Sequence, residues 1–77
     1  MEFYVLTQSG REVIPALQKA GRDYEANILE YVGKAGGATV EQVADAMRLD
    51  EEIVYNRLRS LSANRWVWRK ITKLTSF

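Results

Sequence analysis

The 77-residue chain has no cysteine and no histidine. That excludes disulfides, thiol nucleophiles, imidazole bases and the usual zinc constellations. The expectation is a protein without catalytic residues, cofactor or metal. No apolar run approaches the ~18–20 residues of a membrane span, and the first residues lack the basic-then-apolar order of a signal peptide. The expected compartment is the cytoplasm, with no membrane partner. Proline occurs once, at Pro15, so the backbone has few imposed breaks. Acid is missing from the last third. Residues 1–52 hold five Lys/Arg against ten Asp/Glu, whereas residues 53–77 hold six Lys/Arg and no acid. The formal net charge of +1 therefore conceals a dipolar molecule.

Hydrophobic residues make up 47% of the chain and charged residues 27%, the balance of a folding sequence and not of a disordered one. A chain this short buries only about 60% of the surface its unfolded form exposes. Residues 1–77 are therefore expected to form a single domain, and a homodimer is one way to add stability.

Apolar spacing and turn chemistry give the element order. Glu2–Thr7 is rich in aromatic and β-branched residues and reads as a strand ending in a turn at Gln8-Ser9-Gly10. Residues 1–20 hold this strand and a helix start, and because Pro15 fits best in a first helical turn, the firm helix is expected near Pro15. Gly21 marks a break, with Asp23 as the N-cap that opens a helical core over 23–63. Ile28, Tyr31, Val32 and Ala35 repeat at i, i+3, i+4 and i+7, and Gly36-Gly37 stops that helix. Thr39 with Gln42 has the form of a capping box for a short helix through Val40, Val43, Ala44 and Met47. Arg48-Leu49 makes a turn, Asp50 caps the next helix, and Val54, Leu58 and Leu61 are its buried stripe. Trp66 to Thr72 is dense in strand formers, and residues 66–73 are predicted as a strand antiparallel to Glu2–Thr7.

The run Ala38-Thr39-Val40-Glu41-Gln42-Val43-Ala44, followed by Val54, Leu58, Leu61 and Val67, resembles the winged helix-turn-helix superfamily over Asn27 to Lys70. Tyr4-Val5-Leu6-Thr7-Gln8-Ser9-Gly10-Arg11 is similar to the strand and helix start that follow the wing in many such regulators, particularly archaeal ones. Here that phrase stands before the helices. Either the strand returns to complete the wing sheet from the other end of the sequence, or the chain derives from a tandem array. The resemblance implies a mainly α protein with a small antiparallel sheet, three or four helices plus two or three strands, and binding of double-stranded DNA in transcription regulation. It commonly places glycine where Arg65 stands, so Asn64 is expected to take the left-handed conformation in its place.

Rotation by 100° per residue puts Glu52, Tyr55, Asn56, Arg59 and Ala63 opposite the buried stripe of the helix 51–63. Asn pairs bidentately with adenine and Arg with guanine, while Tyr reaches phosphate or stacks, so Tyr55, Asn56 and Arg59 are candidate DNA-reading residues. The same composition also fits an ordinary solvated helix face. Arg69, Lys70 and Lys73 are candidate phosphate contacts from a basic wing, near Arg57, Arg59 and Arg65 in sequence. Such clusters also occur as solubilising charge, but the absence of interspersed acid favours a directed field. Glu51 and Glu52 oppose phosphate and favour the helix dipole. Trp66 reads as a lid on the core. Trp68 either packs on Phe3 or Val5 or stands exposed as an anchor for a protein partner, the alternative function being a protein-interaction module or a subunit of a nucleic-acid assembly. RNA is a further possible partner. The acids show no metal-ligand spacing, and Gly33-Lys34-Ala35-Gly36-Gly37 has the wrong order for a phosphate loop.

Overall fold

A computed structural model describes residues 1–72. Lys73, one of the expected phosphate contacts, lies outside the described residues, as does the end of the 66–73 strand. The element order is β1 (Glu2–Leu6), α1 (Gln8–Lys19), α2 (Asp23–Ala35), α3 (Val40–Met47), α4 (Glu51–Ala63) and β2 (Val67–Ile71). Among the described residues, four helices and a two-stranded antiparallel sheet make a mainly helical fold with a layout consistent with a winged helix. None of the described helices is long and apolar enough to cross a membrane.

β1 pairs with β2 as the sequence predicts, in the register Glu2↔Ile71, Tyr4↔Arg69 and Leu6↔Val67. The early strand thus completes the sheet from the far end of the sequence. Tyr4 also forms a bridge on its other side to Ala38, the residue just before the α3 cap, with N–H···O bonds of 2.8 and 2.9 Å. β1 is therefore the middle of a minimal three-way sheet that ties the α2–α3 loop to β2.

The core lies beneath this sheet. Ile28, Leu29 and Val32 of α2, Val43 of α3, and Val54, Leu58 and Leu61 of α4 are fully buried, and Tyr4 and Val67 close it from the strands. The α2 stripe matches the expected one except at Ala35, which is exposed. α2 ends one residue later at Gly36 in a left-handed cap (φ 71°), where its last side chain has already left the core. The capping box of Thr39 and Gln42 is present, with bonds of 3.0 and 3.1 Å, and α3 spans eight residues. Asp50 caps α4 through Oδ1 and the Glu52 N–H.

Three boundaries differ from the sequence reading. Gln8-Ser9-Gly10 is a helix start and not a turn, because the Thr7 hydroxyl caps it by accepting from the Gly10 N–H at 2.9 Å. α1 then runs through Pro15. Pro15 and Arg11 are both solvent-exposed, so the carbonyl that loses its N–H partner is left open to water. Asp23 is the first residue of α2 and not its cap, since Arg22 takes the cap position without a side-chain bond. Arg65 (φ 63°), not Asn64 (φ −83°), takes the left-handed conformation before β2. The Asn64 amide donates instead to the Ser60 carbonyl at 3.0 Å, which keeps Asn64 helical and passes the reversal to the next residue.

Candidate functional site

The turn from α4 into β2 is held from the start of α1. Thr7 Oγ1 lies 2.7 Å from the Arg65 carbonyl and 3.0 Å from that of Trp66, and Thr7 N–H donates to Trp66 O at 3.1 Å. Gly10 is there because nothing larger fits: a Cβ at this position would fall 2.0 Å from the Trp66 carbonyl oxygen. Trp66 is half-buried against the core, as expected of a lid, with the Arg22 guanidinium 5.9 Å from its ring centroid.

This clamp fixes where the cations of β2 point. Side chains alternate along a strand, so Arg69 shares the inner sheet face with Val67, Tyr4 and Glu2, while Lys70 shares the outer face with Trp68, Val5 and Phe3. Met1 and Thr72 exchange backbone bonds of 2.7 and 2.8 Å, so the period of the ladder makes Tyr4↔Arg69 a non-hydrogen-bonded pair, the kind whose side chains approach more closely.

Arg69 consequently meets the outward face of α4. Tyr55, Arg59 and Ser62, at i, i+4 and i+7, line a depression of about 350 Å³ with Ala63, Tyr4 and Arg69. The Arg59 guanidinium lies 5.8 Å from the Tyr55 ring centroid, a cation–π contact between helical neighbours. A second depression of about 400 Å³ adjoins it, lined by Ser62, Arg65, Val67, Trp68 and Arg69. Ser62 and Arg69 belong to both, so Arg59, Arg65 and Arg69 line a groove made of two adjoining depressions.

The expected site is thus assembled in part. Tyr55, Arg59 and Arg69 come together. Asn56 is exposed on α4 but lines neither depression. Lys70 is exposed on the opposite sheet face from Arg69, so the expected basic wing does not present these two cations together. Arg57 leaves the group as well, its guanidinium 6.0 Å from the Tyr24 ring centroid. Trp68 faces Val5 across the ladder, one of its two expected neighbours, and at the same time remains 62% exposed.

Arg65, Ser62 and Tyr4 complete the groove, Glu2 reaches Arg69 without lining either depression, and none of the four was among the expected site residues. Ser62 was legible as the next step of the Tyr55–Arg59 stripe, whereas Glu2 joins only through a strand register between the two ends of the sequence. Its Oε1 accepts from the Tyr4 hydroxyl at 3.1 Å and its Oε2 lies 3.5 Å from Arg69 Nη1. Burial first, and then the bond to Glu2, push the Tyr4 phenol up to about 12 from 10.0, so it stays a hydrogen-bond donor at neutral pH.

The opposite end of α4 carries the other sign. Glu41, Asp45, Asp50 and Glu51 line, together with Arg48, an open cleft of about 710 Å³ at the α3–α4 turn. Among the described residues, no group of three or more acids is placed to hold a metal ion. No protein-family model, curated protein or solved structure matches the chain.

Proposed function

We propose that the protein binds nucleic acid, with double-stranded DNA as the ligand, through the groove between α4 and β2, and that it serves in transcription regulation. The observation that carries this reading is the convergence of Arg59, Arg65 and Arg69 on adjoining depressions that share Ser62 and Arg69. Guanidinium groups clustered along a groove have the sign and the forked donor geometry that phosphate oxygens accept. Tyr55 and Asn56 on the outward face of α4 have the chemistry to contact backbone or base edges beside it.

The acidic cleft does not cancel this attraction. From Glu51 to Ala63 the helix rises about 18 Å, more than twice the ~8 Å screening length at physiological salt. Phosphates seated at the basic end are largely screened from the acids at the other.

The test is titration of a mixed-sequence duplex, followed by fluorescence anisotropy, across a salt series. Three full phosphate contacts set a limiting log–log slope of about −2.7, and Arg59→Gln reduces the wild-type magnitude by about 0.9. Absent or salt-insensitive binding overturns the reading. RNA of equal length, titrated as a competitor, decides which polymer the groove prefers.

The 62% exposure of Trp68 favours a second reading, a protein-interaction surface on the outer sheet face that meets a partner or a second copy. Trp68→Ala then abolishes self-association or partner binding and lowers duplex affinity less than Arg69→Gln does, since Trp68 lines only one of the two depressions.

A further inference from the structure

Of the acids in the described residues, Glu2 is the one in ion-pair contact with an arginine of the groove. Its two oxygens are divided between two donors: the Tyr4 hydroxyl on one and the Arg69 guanidinium on the other. Both donors line the depression that also contains Arg59, Tyr55 and Ser62. A carboxylate held this way occupies the position of an oxyanion among hydroxyl and guanidinium donors.

We infer that Glu2 is an internal competitor at a phosphate seat centred on Arg69, and that an incoming phosphodiester group displaces its carboxylate from that guanidinium. This rests on the nucleic-acid reading above and adds a residue that sets affinity at the same groove. The geometry suits displacement better than permanent pairing. The Arg69–Glu2 approach is 3.5 Å and monodentate, and the two side chains are 52% and 37% exposed. Exposed pairs of this kind contribute little to stability and are screened by salt. A bidentate guanidinium–phosphate contact is the stronger alternative. Tyr4 is the fixed element: the residue is nearly fully buried, its backbone is anchored by two bonds to Ala38, and its hydroxyl remains protonated.

This competitor explains why β1 matters to the groove beyond holding β2. Glu2 and Arg69 are diagonal neighbours on one sheet face, and any displacement of the carboxylate is read directly by the strand pair. Free inorganic phosphate and a backbone phosphodiester share the recognising chemistry, and the two are separated by competition.

The experiment compares wild type, Glu2→Gln, Arg69→Gln and the double variant in duplex titrations over a salt series. Glu2→Gln keeps an amide oxygen for the Tyr4 hydroxyl and removes only the charge. It is expected to tighten binding by up to about eightfold at 0.1 M salt and to steepen the slope by up to about 0.9, the value of one released contact. In the Arg69→Gln background the Glu2→Gln gain should disappear. A Glu2→Gln gain that persists undiminished without Arg69 reports general charge repulsion and overturns the seat, as does an unchanged affinity and slope in Glu2→Gln. Duplex binding by neither wild type nor Glu2→Gln at low salt overturns the nucleic-acid reading itself, which keeps the two failures apart. Inorganic phosphate at matched ionic strength is expected to compete no better than chloride, and stronger competition assigns the seat to the free ion.

Discussion

The two ends of α4 differ in sign and in how they are made. Its N-terminal end is acidic and locally determined: the Thr39–Gln42 box starts α3, Asp50 caps α4, and Glu51 and Glu52 lie where the helix dipole favours negative charge. Its C-terminal end is basic and assembled from distant parts of the chain: Thr7 and Gly10 of α1 hold the Arg65–Trp66 turn, and β1 positions Arg69. The acids thus have a sufficient structural role in the helix that carries them. The arginines are held more loosely: Arg59 lies over Tyr55, Arg69 meets Glu2 in an exposed pair, and Arg65 takes a left-handed backbone that glycine adopts without strain. Charge gathered at such a cost to its own backbone is the better indicator of a ligand.

The contrast can be broken most severely at Gly10. Gly10→Ala drives a methyl into the Trp66 carbonyl, where backbone must move, and should cost about 3 kcal/mol in urea unfolding. Amide exchange should rise more in Trp66–Ile71 than at the α3–α4 turn, and equal rises at both ends would show that the two are not separately built.

Next in size is a pH effect confined to the sheet. The Tyr4 phenol is raised from 10.0 to about 12 in the folded protein. The stability it contributes is fully present below pH 10 and is lost as pH rises through 12, at up to about 1.4 kcal/mol per pH unit. Comparing denaturation of wild type with Tyr4→Phe isolates this slope, which should vanish in the variant. At the acidic end, Asp50→Ala removes one cap and should cost about 1 kcal/mol without altering duplex affinity.

Arg65→Gly works in the opposite direction, relieving the left-handed strain for a gain of up to about 1 kcal/mol in thermal or chemical unfolding. It should also lower the magnitude of the salt slope of duplex binding by about 0.9. Stabilisation with unchanged binding would remove Arg65 from the groove. The smallest effect is Glu51→Gln, for which screening across the helix predicts less than a twofold change in duplex affinity at 0.15 M salt.

Which parts were legible follows the same division. The capping box, the α4 boundaries, the Asp50 cap and the strand pairing were read from residues a few positions apart or from plain strand composition. The helical role of Gln8-Ser9-Gly10 was not, because a Thr-x-x-Gly start looks like a turn until the Thr7 hydroxyl finds its N–H. Asn64 looked the better left-handed residue, but its side chain gains a bond to Ser60 by staying helical. At the candidate site, Tyr55 and Arg59 followed from helical periodicity. The separation of Arg69 from Lys70 follows from strand alternation once the inner face is known, and Glu2 required the register itself.

The ladder between β1 and β2 has a temporal consequence. During synthesis the first strand is completed long before its mate exists, and joining segments so far apart in sequence carries the loop-closure cost that makes nonlocal pairings slow. Helices can wind and begin to pack meanwhile, but Tyr4 and Arg69 meet only when that circuit closes. A ligand that requires both will therefore recognise finished molecules and ignore nascent ones.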